Sequence, residues 1–480
     1  MSLKQKTVSG LFWSFIDSFA SQGVQFIVGI ILARILSPRE FGLIGMLTIF
    51  IAVSQSFIDS GFTSALIRKN NCTQNDYSTI FYFNIIISII SYFLLFIFSD
   101  AISIFFNEPQ LKMLIQVLGI GLLFNALAII QRTILTKELN FKLQMRVSII
   151  ASVGSGIIAV SMAYYGYGVW SLVALTLCRF GFSSILLWVW SSWKPIWVFS
   201  KTSLNELFAF GSKLLFSGLI DTIYRNVYNL IIGKYFSAVE LGYYTQADQF
   251  QAFPSQNLNG VISRVSFPVL SSIQNDVEQL KAAYKKLIKS TMIITFVLMI
   301  GLAAVAKPMV LTLIGEKWLP MVIYLQMLCF VGMFYPLHAL NLNMLQVQGR
   351  SDLFLRLEII KKIIAVPVII VGIFFGIKSM IIGMLVINLF AFYLNSYWSG
   401  ILIGYSTTQQ IKDILPSFCL ACVVGFVVFI TGYYLEIPNP FKLIVQVLLG
   451  AFLTIGISEL MHLNDYLYIK DIILEKVLKR

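Results

Sequence analysis

Strongly polar and ionisable side chains recur inside the long apolar runs of this sequence. A charge near the centre of a bilayer costs about 2.5 to 3.5 kcal/mol on insertion scales, so each needs a partner or water. Asp17 and Gln25 fall at helical spacing with Ser14, Ser18 and Ser21 and share one face of the first run. A run near the middle of the chain repeats the pattern with Ser217, Asp221, Tyr224, Arg225 and Tyr228. There Asp221 and Arg225 stand at i, i+4, the spacing of a helical ion pair. The next run after each carries a matching set: Thr48, Gln55 and Asp59 in one, Asp248, Ser255 and Asn259 in the other. Four polar faces of this kind suit a water-accessible cavity that holds a hydrophilic passenger; the alternative for Asp221 and Arg225 is an internal pair that only lowers the cost of insertion. Arg179, Lys213 and Arg264 add positive potential fitted to a phosphate or an acidic sugar, while Lys213 and Arg264 could equally snorkel to headgroups. His338 is either a proton carrier for ion coupling or a hydrogen-bonded structural residue.

The elements that must position these groups are membrane helices. The 480 residues are 58% hydrophobic and only 12% charged, which excludes most water-soluble enzymes. Apolar runs long enough for the roughly 20 residues of a span lie at 8–33, 41–67, 78–98, 111–135, 147–165, 169–190, 207–232, 241–267, 290–306, 319–347, 357–377, 379–403, 414–434 and 442–462. That reading is an all-α integral membrane protein with fourteen transmembrane helices. The net charge of +13 does not point to nucleic acid, because it is distributed by side. Arg34, Arg39, Lys112, Lys234, Lys307, Lys317, Lys378 and Lys442 fall on one side, and Arg179, Lys213 and Arg225 within apolar runs. The other basic residues, Arg132 among them, fall on the side of both termini, which the positive-inside rule places in the cytoplasm. Lys4 and Lys6 before so long a run read as the start of helix one rather than as a cleavable leader. Of five cysteines, Cys419 and Cys422 form a CxxC inside an apolar run with no His or acid beside it, and they read as small buried hydrophobes.

An internal repeat orders the helices. Ile31–Gly42 aligns with Ile231–Gly242 through Ile31, Ser37, Glu40 and Gly42, and Gln74-Asn75-Asp76 aligns with Gln274-Asn275-Asp276. Six crossings per repeat return the chain to its starting side, so the halves are parallel, a plan used for alternating access. The expected division is a lobe at 1–200, a second at 201–405, helices thirteen and fourteen at 406–462, and an amphipathic tail at 463–480. Ser37 and Ser237, each three residues before a Glu, read as helix caps. The basic stretch 278–289 and the tail are expected to lie on anionic lipid. Pro254 is the hinge candidate. The sequence has no phosphate loop, no HExxH and no paired-cysteine metal spacing, so neither ATP hydrolysis nor a metal is expected; no cofactor is implied beyond a possible coupling to an H+ or Na+ gradient.

Thr7-Val-Ser-Gly-Leu-Phe-Trp-Ser14 and Leu32-Ala-Arg-Ile-Leu-Ser-Pro-Arg-Glu-Phe-Gly-Leu43 resemble the opening of bacterial polysaccharide flippases of the O-antigen and colanic-acid type, within the multidrug/oligosaccharidyl-lipid/polysaccharide exporter superfamily. The resemblance implies two parallel six-helix lobes plus two C-terminal helices in the bacterial inner membrane. It implies a transporter, not an enzyme, that moves undecaprenyl-pyrophosphate-linked oligosaccharide to the outer leaflet, with membrane lipids and other polysaccharide-assembly proteins as partners. Relatives line the cavity with cations; here the first helix offers Asp17 and no arginine. The competing readings are a drug or cation antiporter of the same superfamily, favoured by Asp17, Asp59, Asp221 and Asp248, and a membrane glycosyl transferase or polymerase, disfavoured by the short outer loops.

Overall fold

The computed structural model describes residues 3–462, 465–467 and 470. The side chains of Ser14, Ser18 and Arg264, and most of the expected tail at 463–480, lie outside the described residues. The chain is helical and, among the described residues, has no strand. Contacts divide it into two compact units, Met1–Thr245 and Gln246–Arg480, and the division falls inside one helix.

The first unit contains α1 (Leu3–Ile35), α2 (Pro38–Asp59), α3 (Phe62–Arg68), α4 (Gln74–Ile97), α5 (Ser99–Phe106), α6 (Gln110–Lys137), α7 (Phe141–Tyr164), α8 (Trp170–Trp190), α9 (Lys201–Tyr235) and the first turns of α10 (Ala238–Ser272). The second contains the rest of α10, α11 (Val277–Ala304), α12 (Ala306–Leu313), a 3-10 turn at Glu316–Trp318, α13 (Met321–Gly332), α14 (Tyr335–Val347), α15 (Ser351–Phe375), α16 (Ile377–Ile403), α17 (Thr407–Tyr434) and α18 (Asn439–Leu460). Among the described residues, eleven helical stretches are long and apolar enough to cross a membrane. The helices α1, α10 and α15 also have the length of a span, with 33, 35 and 25 residues. The protein is a multi-pass membrane protein.

The repeat is visible in the element order: helices begin at 38 and 238, 74 and 277, 99 and 306, 141 and 351, and 170 and 377. Both caps form. The Glu40 carboxylate accepts from the Ser37 amide at 2.5 Å and from its hydroxyl at 2.9 Å, and Ser237 Oγ accepts from the Glu240 amide at 3.1 Å.

Several expectations are corrected. The second apolar run is not one helix: it breaks at Ser60-Gly61, both at positive φ, because Gly61 lies against the Gly211 carbonyl of α9, where a Cβ would come within 2.5 Å. The tenth run breaks into α13 and α14. Pro336 lacks the amide that would continue the ladder to Gly332, so the chain turns at Met333-Phe334. Cys419 is exposed on α17 rather than buried, because apolar side chains of a membrane helix can face lipid as well as protein.

The second unit is pinned by a buried polar knot. Asn341 Oδ1 of α14 accepts from Tyr284 of α11 at 2.9 Å, from Ser399 of α16 at 3.2 Å and from Gln410 of α17 at 3.3 Å. Beside it Tyr405 donates to Asp413 at 2.8 Å; burial and that carboxylate push the phenol above its usual range, so it stays a donor. The basic stretch at the start of α11 is engaged here too. Lys281 donates to the Gly404 carbonyl at 2.5 Å, Lys285 pairs with Asp413 at 2.9 Å and Lys289 with Asp465 at 3.1 Å. Lys281 and Lys285 tie α11 to the α16–α17 link and the start of α17, and Lys289 ties it to Asp465 beyond α18.

Candidate functional site

In the first unit a side chain on the polar face of α1 bonds to α8, and α8 in turn bonds to α6. Arg179 of α8 donates from Nη1 to Gln25 Oε1 at 2.5 Å. Arg132 of α6 donates from Nη2 to Ser183 Oγ of α8 at 3.0 Å. Asp17, part-buried on α1, lies within electrostatic reach of Arg132, and the two arginines lie within reach of each other. Among the described residues neither guanidinium has a carboxylate within salt-bridge distance; both are held by neutral acceptors. Each guanidinium has five N–H donors, more than the single side-chain hydrogen bond it makes among the described residues uses. The helices that carry them are fixed by packing: Val28 and Leu32 of α1 bury against Ala159 and Ala163 of α7 and Leu172 of α8, while Leu187 of α8 joins Ala128 and Leu135 of α6.

Arg132 is the residue that the sequence reading missed, since it stands close to the basic end of α6 and counts there as a loop charge. The helix extends to Lys137, which leaves Arg132 more than a turn inside it. An available signal is Ser183, a polar residue on α8 four positions after Arg179 and hence on the same face.

Other candidates fall elsewhere. Asp59 accepts from Thr63 across the α2–α3 break, and Thr133 of α6 reaches Thr63 at 3.4 Å, so Asp59 braces the break. Gln55 is half-buried on α2, beside Ser56, whose hydroxyl meets Thr222 of α9 at 3.0 Å. Asp221 and Arg225 form the expected pair at 2.7 Å, with 45% and 72% of their side chains exposed. Lys213 is exposed on α9. In the second unit Asp248 and Asn259 are half-buried on α10, and Pro254 lies inside that helix, which runs unbroken through it. His338 is held on both ring nitrogens, by Asn388 Oδ1 at 3.0 Å and Asn395 Nδ2 at 3.3 Å. Among the described residues no group of three His, Cys, Asp or Glu is placed to hold a metal.

At the other end of the first unit the two repeats touch backbone to backbone. A Cβ on Gly42 of α2 would stand 1.6 Å from the Ala238 carbonyl oxygen, and one on Gly242 of α10 would stand 1.9 Å from that of Pro38. The contact is reciprocal between repeat mates, and only glycine permits it.

Bundled membrane helices in a duplicated order, with a cationic polar site among them, define a multi-pass helical membrane protein built from two repeats. Residues 31–323 match the family described as "Polysaccharide biosynthesis protein", and the chain belongs to that family. It is 28% identical over 381 residues to the lipopolysaccharide biosynthesis protein WzxC of Escherichia coli (strain K12), covering 78% of this chain and 76% of that one. It is 26% identical to the teichuronic acid biosynthesis protein TuaB of Bacillus subtilis (strain 168), covering 73% of each. Among solved structures, the lipid II flippase MurJ in an inward closed conformation aligns with a TM-score of 0.78 at 16% identity, over 94% of this chain and 99% of that one.

Proposed function

We propose that the protein is a flippase that carries an undecaprenyl-pyrophosphate-linked oligosaccharide across the bacterial inner membrane by alternating access. The pair Arg132 and Arg179 carries this reading: two guanidinium groups in a membrane helix bundle, each hydrogen-bonded to a neutral acceptor among the described residues, match a pyrophosphate. The names of the relatives, which concern surface polysaccharides, support a glycan as the remainder of the cargo. In this reading both termini are cytoplasmic and the Gly42–Gly242 end of the first unit faces outward. The repeats at 1–200 and 201–405 are the moving lobes, with α17 and α18 outside them and Pro254 as a hinge. No cofactor takes part, and an H+ or Na+ gradient supplies the energy.

The test is transport by the purified chain in liposomes. Lipid-linked oligosaccharide labelled on its glycan should become accessible to a membrane-impermeant enzyme on the opposite face, faster than in empty liposomes. Transport of a cationic dye against a proton gradient with no movement of the lipid-linked glycan would overturn the proposal in favour of an antiporter.

A further inference from the structure

The outward end of the first unit holds a cavity of about 620 Å³ that the flipping reaction as described does not use. Three links form it: α1–α2, α5–α6 and α7–α8. Tyr167 and Trp170 supply aromatic surface, and Arg39, Glu40 and Gln110 supply polar groups. The volume lies within the range of about 300 to 1,000 Å³ usual for small-molecule sites. Tyr167 is 58% exposed, so its ring is open to a visitor. The polar groups are braced: Arg39 Nη2 pairs with Glu108 Oε2 at 2.7 Å, and the Glu40 carboxylate is fixed by Ser37. The α7–α8 link is shaped by Gly166 and Gly168, at φ +84° and +55°, and a Cβ on Gly168 would come within 2.5 Å of Glu40 Oε1. Glycine there is what lets the Glu40 carboxylate reach under the turn.

We propose that this cavity is a binding subsite for neutral sugar rings of a glycan. Aromatic faces suit the C–H faces of a pyranose, and planar carboxylate, guanidinium and amide groups suit its hydroxyls. The charge balance sets the preference. Arg39 is already paired with Glu108, and Glu40 adds a further negative charge, so the rim repels carboxylated sugars and offers no net cation to a phosphate. The assignment of the ligand to the transported glycan rests on the flippase reading; the binding itself does not.

The experiment is ligand-observed saturation-transfer NMR on the full chain in nanodiscs, with a panel of neutral tetrasaccharides of glucose, galactose and mannose and with oligogalacturonate. At least one neutral member should receive saturation, oligogalacturonate should not, and Tyr167→Ala and Arg39→Gln should each weaken binding about tenfold or more. Both positions are exposed, and unchanged thermal unfolding of each variant will establish that it folds. No signal from any neutral tetrasaccharide, a preference for oligogalacturonate, or binding indifferent to both substitutions would refute the subsite. Neutral-sugar binding by a chain that fails to move lipid-linked oligosaccharide would leave the subsite standing and sink the flippase reading alone.

Discussion

Replacing Gly42 with alanine adds one carbon where the Ala238 carbonyl oxygen stands 1.6 Å away and its carbon 2.5 Å away. Ordinary contact needs more than about 3.4 Å, so the start of α2 and the start of α10 must move apart by about 2 Å. The obstacle is backbone on a helix, which cannot swing aside as a side chain can. Overpacking of this kind costs about 1 to 3 kcal/mol, and because about 1.4 kcal/mol is a factor of ten, the closed arrangement of this end should lose about 5- to 150-fold in population. Gly→Ala inside a helix otherwise favours the helix by up to about 1 kcal/mol, so the substitution should not unfold the chain. Gly218→Ala is the control, since a Cβ there meets nothing within 4 Å. Spin labels at positions 39 and 239, read by pulsed electron resonance, should report longer distances in Gly42→Ala and in Gly242→Ala but not in Gly218→Ala. Flipping should slow in the first two. Wild-type distance distributions and rates in both would refute the idea that this contact closes the end.

Removing one guanidinium of the site, by Arg132→Ala or Arg179→Ala, takes away charge-assisted bonds worth about 1.5 to 3 kcal/mol, so the flipping rate at low substrate should drop about tenfold or more, with Lys restoring part of it; rates in reconstituted liposomes are the check. Asp221→Ala and Arg225→Ala should impair export more than Cys419→Ala does, at equal membrane abundance, because the pair lies on a polar face of α9 and Cys419 is exposed on α17. Asn341→Ala should destabilise the second unit by about 1 to 3 kcal/mol for each buried polar group left unsatisfied, seen as earlier thermal unfolding in detergent, and Tyr284→Phe should do so more mildly because it removes one bond of the knot.

The apolar runs that build the helices, and their order, were legible because each is decided locally. About 20 apolar residues partition into a bilayer whatever their neighbours, since a helix satisfies its own backbone groups there. The repeat was legible in the same way: Ser37, Glu40 and Gly42 recur as Ser237, Glu240 and Gly242, and both caps form from side chains three residues apart. Asp221 and Arg225 were also readable as a pair, because one helix turn sets their distance.

What sequence spacing could not decide is which way each helix turns and whom it meets. In water an apolar face must be buried, so the pattern points inward; in lipid both faces are apolar, and Cys419 looks the same outside as in. That is why Arg132 read as a charge of the cytoplasmic side although packing of α6 on α8 brings it to Ser183, and why spacing alone does not show that Lys285 meets Asp413. The breaks at Ser60-Gly61 and Met333-Phe334, and the approach of Gly42 to Ala238, likewise depend on a second helix supplied by a distant part of the chain. Partition between water and lipid is a property of a segment, so the sequence determines it; contact between helices is a property of pairs, and only the tertiary structure decides it.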